Sequence, residues 1–347
     1  MDTSLFTDQE AQVAQAITQF IDHPDIVGPG FNELALDLFA YHFDRSAPYT
    51  ALCDSLGINP AFVTDIGQIP AVPAEAFKLF ELSCVSMDNV DRVFYSSGTT
   101  GAERSAHYMS ARALGLYRTS LKKGFHSYFP HPQEIWALAE PAATAVNSSL
   151  SYMLQELNAT RWFWNDRDAL VQSLISRTEP VTVFGTAFAW VDLLDNTDVD
   201  FHLPAGSRII ETGGFKGRTR EVPRPQLYEM FRERLGIADD CCHSEYGMSE
   251  MSSQFYSTGV EGVLQAPPWL RTVIIDPLTG TEAAEGEVGL LRHYDLANLN
   301  SAMLLQTEDM GVRQDGGYRL LGRAKGAEIR GCSLTVEELW QQTQVKP

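Results

Sequence analysis

The sequence predicts an α/β protein of two or more packed units. The chain has 347 residues, more than one hydrophobic core usually encloses. From Arg92 onward, short apolar runs alternate with amphipathic stretches, the pattern of right-handed βαβ units and a mostly parallel sheet. After about Trp269 the texture changes to strands punctuated by Gly, Pro, Asp and Asn, which reads as an antiparallel or barrel-like β unit. The expected division is a helical segment over 1–90, an α/β core over 91–268, a β-rich unit over 269–322 and a tail over 323–347.

The elements follow in chain order. Val13, Ile17, Phe20 and Ile21 recur at helical spacing after Thr7-Asp8, a plausible cap. Phe31, Leu34, Leu38 and Phe39 mark a second helix. Pro70 and Pro73 make Ile66–Phe80 an extended crossing segment. Val93–Ser96 reads as a strand and Ala111–Lys123 as a helix. "VTVFG" (Val181–Gly185) and "RIIE" (Arg208–Glu211) read as buried strands, with a helical turn or two over Phe188–Leu194 between them. Pro225–Leu235 carries Leu227, Met230, Phe231 and Leu235 on one helical face. Beyond Trp269, "RTVIID", "GEVGLLRHYD", "AMLLQTED" and "GYRLLGR" read as strands, and Glu337–Gln342 as a closing helix.

Composition narrows the function classes. The net charge is −19, so the surface repels nucleic acid and anionic membranes. Local backbone dipoles can still bind phosphate on such a protein. No apolar run preceded by Lys or Arg opens the chain, and none is long enough to span a bilayer, so a cytoplasmic protein without membrane insertion is expected. The five cysteines lack framework spacing and suit a reducing compartment. Cys241-Cys242 reads as two buried thiols at a strand end. There is no CxxC or HExxH, so no structural or catalytic zinc is expected.

The stretch "VFYSSGTTG" runs three bulky β-formers into six small residues. Its glycines allow a tight turn with N–H groups aimed into one hollow, and Ser96, Ser97, Thr99 and Thr100 add donors. It is neither a Walker A loop nor a dinucleotide fingerprint. Taken alone it fits a phosphate nest or a surface turn. "ETGGFKG" after the strand "RII" suits close approach of a flat ligand at a sheet's carboxyl end. "HSEYGMSE" offers a ring to stack on a base and a carboxylate for Mg2+ beside phosphates. "TEDMG" followed by "GRAK" pairs an Asp with an Arg in the way that ribose hydroxyls require. Each has an ordinary structural alternative, but in this order they describe a nucleotide.

That order, "YSSGTTG", "YGMSE", "TEDMG" and "GRAKGAEIRG", resembles the adenylate-forming superfamily of acyl-CoA synthetases and luciferases. With "IPAVPAEAFK" and "ETGGFKGR" it is most similar to LuxE-type acyl-protein synthetases and the related phenylacetate–CoA ligases, over roughly Ile66 to Leu339. The resemblance implies a large amino-terminal domain with parallel βαβ sheets, a β-barrel-like subdomain, and ATP and Mg2+ as cofactors. It implies that Ser96, Ser97, Gly98, Thr99, Thr100 and Gly101 hold the ATP phosphates. Gly213, Gly214 and Phe215 would border the adenine, Tyr246 would stack on it and Gly247 would follow. Glu250 would help bind Mg2+, and Asp309 would take the ribose hydroxyls, helped by Arg323 at the start of a hinge. His243 and Ser249 are candidates on the substrate side.

The departures are specific. Where the family places a Lys after the hydroxyl loop, Arg104 is the nearest cation. Ser249 replaces a Thr, and Glu308 adds a charge beside Asp309. Only 24 residues follow Arg323, so a truncated carboxy-terminal lid is expected, with Lys325 and Lys346 as candidates for the cation a lid would deliver.

The expected chemistry is activation of a carboxylic acid, a fatty acid by resemblance, to acyl-AMP. The acyl group then passes to a thiol. Cys332, two residues after Arg330 in "IRGCSLTVEELW", is the candidate nucleophile, since the cation would lower its pKa. A buried structural cysteine is the other reading. The expected partner is an acyl reductase or acyl carrier protein. Two alternatives stand beside this: an acyl- or aryl-CoA ligase of the phenylacetate type, and an inactive nucleotide-binding scaffold. His107 is read as a phosphate or carboxylate contact or as a surface residue, and Trp162-Phe163-Trp164 with Phe184–Trp190 as an acyl channel or ordinary core.

Overall fold

A computed structural model of the chain describes residues 3–25, 28–97, 104–198, 200–213, 220 and 222–324. Two compact units interleave along the sequence. One comprises Met1–Gly124, Met248–Ser253 and Ala266–Pro347, and the other Phe125–Gly247 and Gln254–Gln265.

The first unit opens with helices α1 (Thr3–Asp22), α2 (Phe31–Arg45) and α3 (Ala47–Ser55). Phe31, Leu34, Ala35, Leu38 and Phe39 of α2 are buried, the stripe that a 3.6-residue period puts on one face. The segment from Ile66 is not extended throughout. A 3-10 turn over Ile66–Gln68 leads to the two-residue strand β1 (Val72–Pro73) and the short helix α4 (Ala76–Leu79). Proline restricts its own position and the residue before it, so the chain after Pro73 is free to coil and bury Phe77. Next come strands β2 (Arg92–Tyr95) and β3 (Ala106–Met109) and helix α5 (Ala111–Tyr128). Here the expectation of βαβ alternation from Arg92 is corrected. β2 and β3 pair antiparallel, Arg92 opposite Met109 and Tyr95 opposite Ala106, as a separate hairpin. The next described element after β2 is β3, antiparallel to it, and not a helix.

The second unit holds the parallel sheet. Its elements are β4 (Glu134–Leu138), α6 (Ser149–Glu156), β5 (Arg161–Trp162), α7 (Arg167–Ile175), β6 (Val181–Thr186), α8 (Ala187–Asp195), β7 (Arg208–Thr212), α9 (Arg224–Leu235), β8 (Cys242–Tyr246) and β9 (Phe255–Thr258). The strand order is β5-β4-β6-β7-β8-β9. All pairs are parallel except β8–β9. Val183, Ile209 and Cys242 from one sheet face pack in one core with Trp190 of α8 and with Tyr228 and Phe231 of α9. Covering helices explain why "VTVFG" is apolar without alternation. Phe163 and Phe184 are buried as well.

The remaining strands belong to the first unit: β10 (Leu270–Ile275), β11 (Val288–Asp295), β12 (Leu304–Gln314) and β13 (Gly317–Arg323). They form an antiparallel sheet in the order β10-β11-β12-β13, and β1 adds parallel to β12. Pro73 is tolerated because β1 is an edge strand. Asp315 and Gly316 link β12 to β13 with φ of 48° and 77°, the two-residue hairpin turn that Asp-Gly favours. Among the described residues no helix is long and apolar enough to cross a membrane. The tail, with its expected helix over Glu337–Gln342, lies outside the described residues.

Candidate functional site

In the first unit the hydroxyl loop springs from the β2–β3 hairpin. Its neck is closed by a backbone pair, Ser96 N–H to the Ser105 carbonyl at 3.0 Å, and by the Ser105 N–H donating to Ser96 Oγ at 3.0 Å. Arg104 turns back on the same neck. Its Nε donates to the Ser96 carbonyl at 2.6 Å and its guanidinium lies 5.2 Å from the centre of the Tyr95 ring. Ser97 is exposed at the start of the loop. Gly98, Thr99, Thr100 and Gly101 lie outside the described residues.

His107, on β3, is buried rather than at the surface, and both ring nitrogens face protein groups. Nδ1 stands 2.8 Å from the Ser249 carbonyl. Nε2 faces Asn298 Oδ1 at 3.0 Å and the Ser301 hydroxyl at 3.1 Å. Burial pulls its pKa down to about 4, against the pull of its hydrogen bonds, so the ring is neutral near pH 7. The Ser249 carbonyl and Asn298 Oδ1 both only accept, so the one proton of the neutral ring serves one of them at a time, from Nδ1 or from Nε2. Asn298 Nδ2 donates to the Glu250 carbonyl at 2.8 Å and to the Ala302 carbonyl at 2.9 Å. The Asp295 carboxylate accepts from the Ser252 N–H at 2.7 Å and the Ser253 hydroxyl at 2.6 Å. The segment Ser249–Ser253 is therefore gripped by polar side chains of 295–301 and by His107. Glu250 itself is buried.

β12 and β13 bring two further candidates together. Asp309 is in register with Arg323, and Arg323 Nε lies 3.6 Å from Asp309 Oδ1. The Asp309 N–H donates to Thr307 Oγ1 at 3.1 Å, which fixes the backbone beside the carboxylate.

In the second unit the carboxyl ends of β7 and β8 carry an acidic pair. Glu211 is in register with Ser244, and Thr212 with Glu245. Alternation puts Glu211 on the face covered by α9, where Arg224 Nε meets Glu211 Oε1 at 3.2 Å and Arg224 Nη2 donates to Ser244 Oγ at 3.0 Å. Burial raises the Glu211 pKa, and Arg224 opposes that shift. On the other face, Thr212 Oγ1 donates to Glu245 Oε2. Burial, with a smaller push from Glu211, takes the Glu245 carboxyl up to about 7, and the Thr212 hydroxyl restrains it. Gly213 then turns the chain with φ of +67°, a conformation that costs other residues energy. Gly214 and Phe215 lie outside the described residues.

Tyr246 closes β8 with a half-buried ring 5.8 Å from Phe255, and Gly247 follows it. His243, two residues earlier, is buried with its ring 4.9 Å from Phe129 and its Nδ1 2.9 Å from Thr258 Oγ1. Burial lowers its pKa to about 4. Ser249 is partly exposed and contributes its carbonyl to the grip above.

Cys332, Lys325 and Lys346 lie outside the described residues. Burial raises the pKa of every described cysteine. Cys53 is pushed up to about 12, and Cys84, Cys241 and Cys242 are raised as well. The vicinal pair divides: Cys242 starts β8 in the core, while Cys241 is only partly covered. Among the described residues no group of three or more His, Cys, Asp or Glu could hold a metal ion. A single buried carboxylate such as Glu250 suits Mg2+ whose other ligands are phosphate oxygens and water, and does not make a protein cage by itself. The residues that sequence reasoning passes over are Asp295, Asn298 and Ser301. Their signal is the polar side chains spaced through the apolar run "YDLANLNSAM".

Comparison with known proteins adds the family. The sequence model described as acyl-protein synthetase, LuxE, matches residues 25–340. The long-chain-fatty-acid–luciferin-component ligase of Vibrio harveyi is 22% identical over 334 residues, covering 88% of this chain and 87% of that protein. The ligase of the same name from Aliivibrio fischeri is 22% identical over 339 residues, covering 90% and 89%. Among solved structures, 2-hydroxyisobutyryl-CoA ligase in complex with 2-HIB-AMP superposes with a TM-score of 0.63 at 13% identity, over 88% of this chain and 72% of that one. At that identity the likeness concerns the α/β fold alone. The family match spans most of the chain: this protein belongs to the LuxE family of acyl-protein synthetases.

Proposed function

We propose that this chain is an ATP-dependent acyl-protein ligase that activates a carboxylic acid, a fatty acid by preference, and carries the acyl group on Cys332 to a partner protein. The observation that carries the reading is the ordered set of nucleotide motifs inside a LuxE family match over residues 25–340. The relatives named above as long-chain-fatty-acid ligases support the choice of acid.

A carboxylate is a poor acyl donor because oxide would have to leave. Its oxygen attacks the α-phosphorus of ATP, the bond to the bridging oxygen of the β-phosphate breaks, and pyrophosphate departs. The resulting mixed anhydride has AMP as its leaving group. The protein's share is positioning and neutralisation of charge. The loop of Ser96, Ser97, Gly98, Thr99, Thr100 and Gly101 serves the phosphates, and Arg104 braces its neck. Gly213, Gly214 and Phe215 border the adenine, and Tyr246 stacks on it. Asp309, with Arg323 beside it, takes the ribose hydroxyls. Glu250 holds Mg2+, which when bound neutralises phosphate charge. The Cys332 thiolate then attacks the acyl carbonyl, AMP leaves, and a thioester remains for an acyl reductase or carrier. Burial holds the four described thiols protonated, which leaves them poor nucleophiles and favours Cys332.

The test is Cys332→Ser. The variant is expected to keep acid-dependent ATP–pyrophosphate exchange and to lose covalent labelling by radioactive acid. Unchanged labelling would exclude Cys332 as the carrier, and release of free acyl-CoA on addition of CoA would favour the CoA-ligase alternative.

A further inference from the structure

The backbone on either side of the Glu250 side chain is held by side chains from distant parts of the first unit. His107 Nδ1 meets the Ser249 carbonyl at 2.8 Å, and Asn298 Nδ2 meets the Glu250 carbonyl at 2.8 Å. The two holding groups are neighbours: His107 Nε2 lies 3.0 Å from Asn298 Oδ1, and the Ser301 hydroxyl donates to the same oxygen at 2.7 Å. His107 is 1% exposed and its ring packs edge-on against Phe77 at 6.0 Å. The ring therefore has little room to rotate away from its partners. It also sits on the return strand of the hydroxyl-loop hairpin, two residues after Ser105, whose N–H and carbonyl close the loop's neck on Ser96.

We propose that His107 is a positioning residue for the metal-binding carboxylate. Through the Ser249 carbonyl it sets the backbone from which Glu250 projects, and it ties that backbone to the hairpin carrying the phosphate loop. The proposal rests on the reading that Glu250 serves Mg2+–ATP. A histidine suits the position because a neutral imidazole with its proton on Nδ1 donates to the Ser249 carbonyl, and its Nε2 is then an acceptor 3.1 Å from the Ser301 hydroxyl. Groups that orient a metal ligand without touching the metal commonly change metal affinity tenfold or more when removed.

Two near-isosteric polar variants separate positioning from bulk. In His107→Asn the side-chain amide stands where Nδ1 does and can still donate to the Ser249 carbonyl. In His107→Gln the amide stands where Nε2 does and leaves that carbonyl without its donor. ATP binding is measured by calorimetry across a Mg2+ titration, with chelator as the metal-free control. The Gln variant is expected to need about tenfold more Mg2+ for half-maximal enhancement of ATP binding, with unchanged metal-free binding. The Asn variant is expected to behave as wild type. Equal behaviour of the two variants, whether both wild-type-like, both impaired or both unfolded, would overturn the proposal. Wild-type protein that binds no Mg2+–ATP would instead sink the underlying reading of Glu250.

Discussion

The Ser249–Glu250 segment of the first unit and the β7–β8 strand ends of the second both bury polar side chains, by opposite means. The groups that meet the Ser249 and Glu250 carbonyls are neutral, a histidine kept uncharged by burial and an asparagine backed by the Ser301 hydroxyl, while the one carboxyl nearby, Asp295, has three donors in Ser252, Ser253 and Ala297. At the β7–β8 ends two carboxyls stand on successive residues of adjacent strands, with one arginine and one threonine between them. The difference teaches what each region can do. Neutral hydrogen bonds fix a backbone position with little response to pH near neutrality. Buried carboxyls with too few partners raise their own pKa and make stability depend on pH.

The largest expected effect comes from removing the arginine. Arg224→Ala leaves Glu211, 4% exposed, without its counter-ion, and loss of one partner of a buried pair costs about 3 kcal/mol or more. Urea unfolding midpoints check it. A loss below about 1 kcal/mol would mean that Glu211 is already protonated and independent of Arg224.

The next effect is a contrast in pH dependence. The Glu245 carboxyl keeps its proton up to about 7 in the folded chain, and the unfolded chain releases it near 4.5. Glu245 therefore favours the folded state most below pH 4.5, and that advantage is lost as pH rises to 7. Glu245→Gln is expected to remove this decline, so its stability relative to wild type improves between pH 5 and 8 by on the order of 2 kcal/mol. Ser301→Ala, in the neutral grip, is expected to cost about 1 kcal/mol equally at pH 6.5 and 8, because His107 titrates near 4. A pH-dependent cost for Ser301→Ala, or a parallel pH profile for Glu245→Gln and wild type, would erase the contrast between the two regions.

What was legible in the sequence follows the same physics. "VTVFG" and "RIIE" read correctly as buried strands because a sheet covered by helices leaves an unbroken apolar run. The β2–β3 hairpin did not, because Ala106–Met109 is four residues long and shows no alternation of apolar and polar residues, with the polar His107 buried beside Ala106. The nucleotide motifs were legible as an order of residue types, and the family match spans them. The grip on Ser249–Ser253 was not legible. Asn298 and Asp295 sit among apolar residues with no visible partner until the fold brings Asn298 to the Glu250 carbonyl and Asp295 to the Ser252 N–H, more than 40 residues earlier in the chain. The pairing of Asp309 with Arg323 was readable as two motifs, and the β12–β13 hairpin supplies the register that joins them.

The most direct measurement of the central claim is acid-dependent ATP–pyrophosphate exchange by the wild-type chain across a panel of carboxylic acids, run beside acyl labelling of the Cys332→Ser variant. Exchange with long-chain fatty acids, labelled wild-type protein and an unlabelled variant with exchange intact are the expected results. No exchange with any acid would contradict acyl-adenylate formation by this chain.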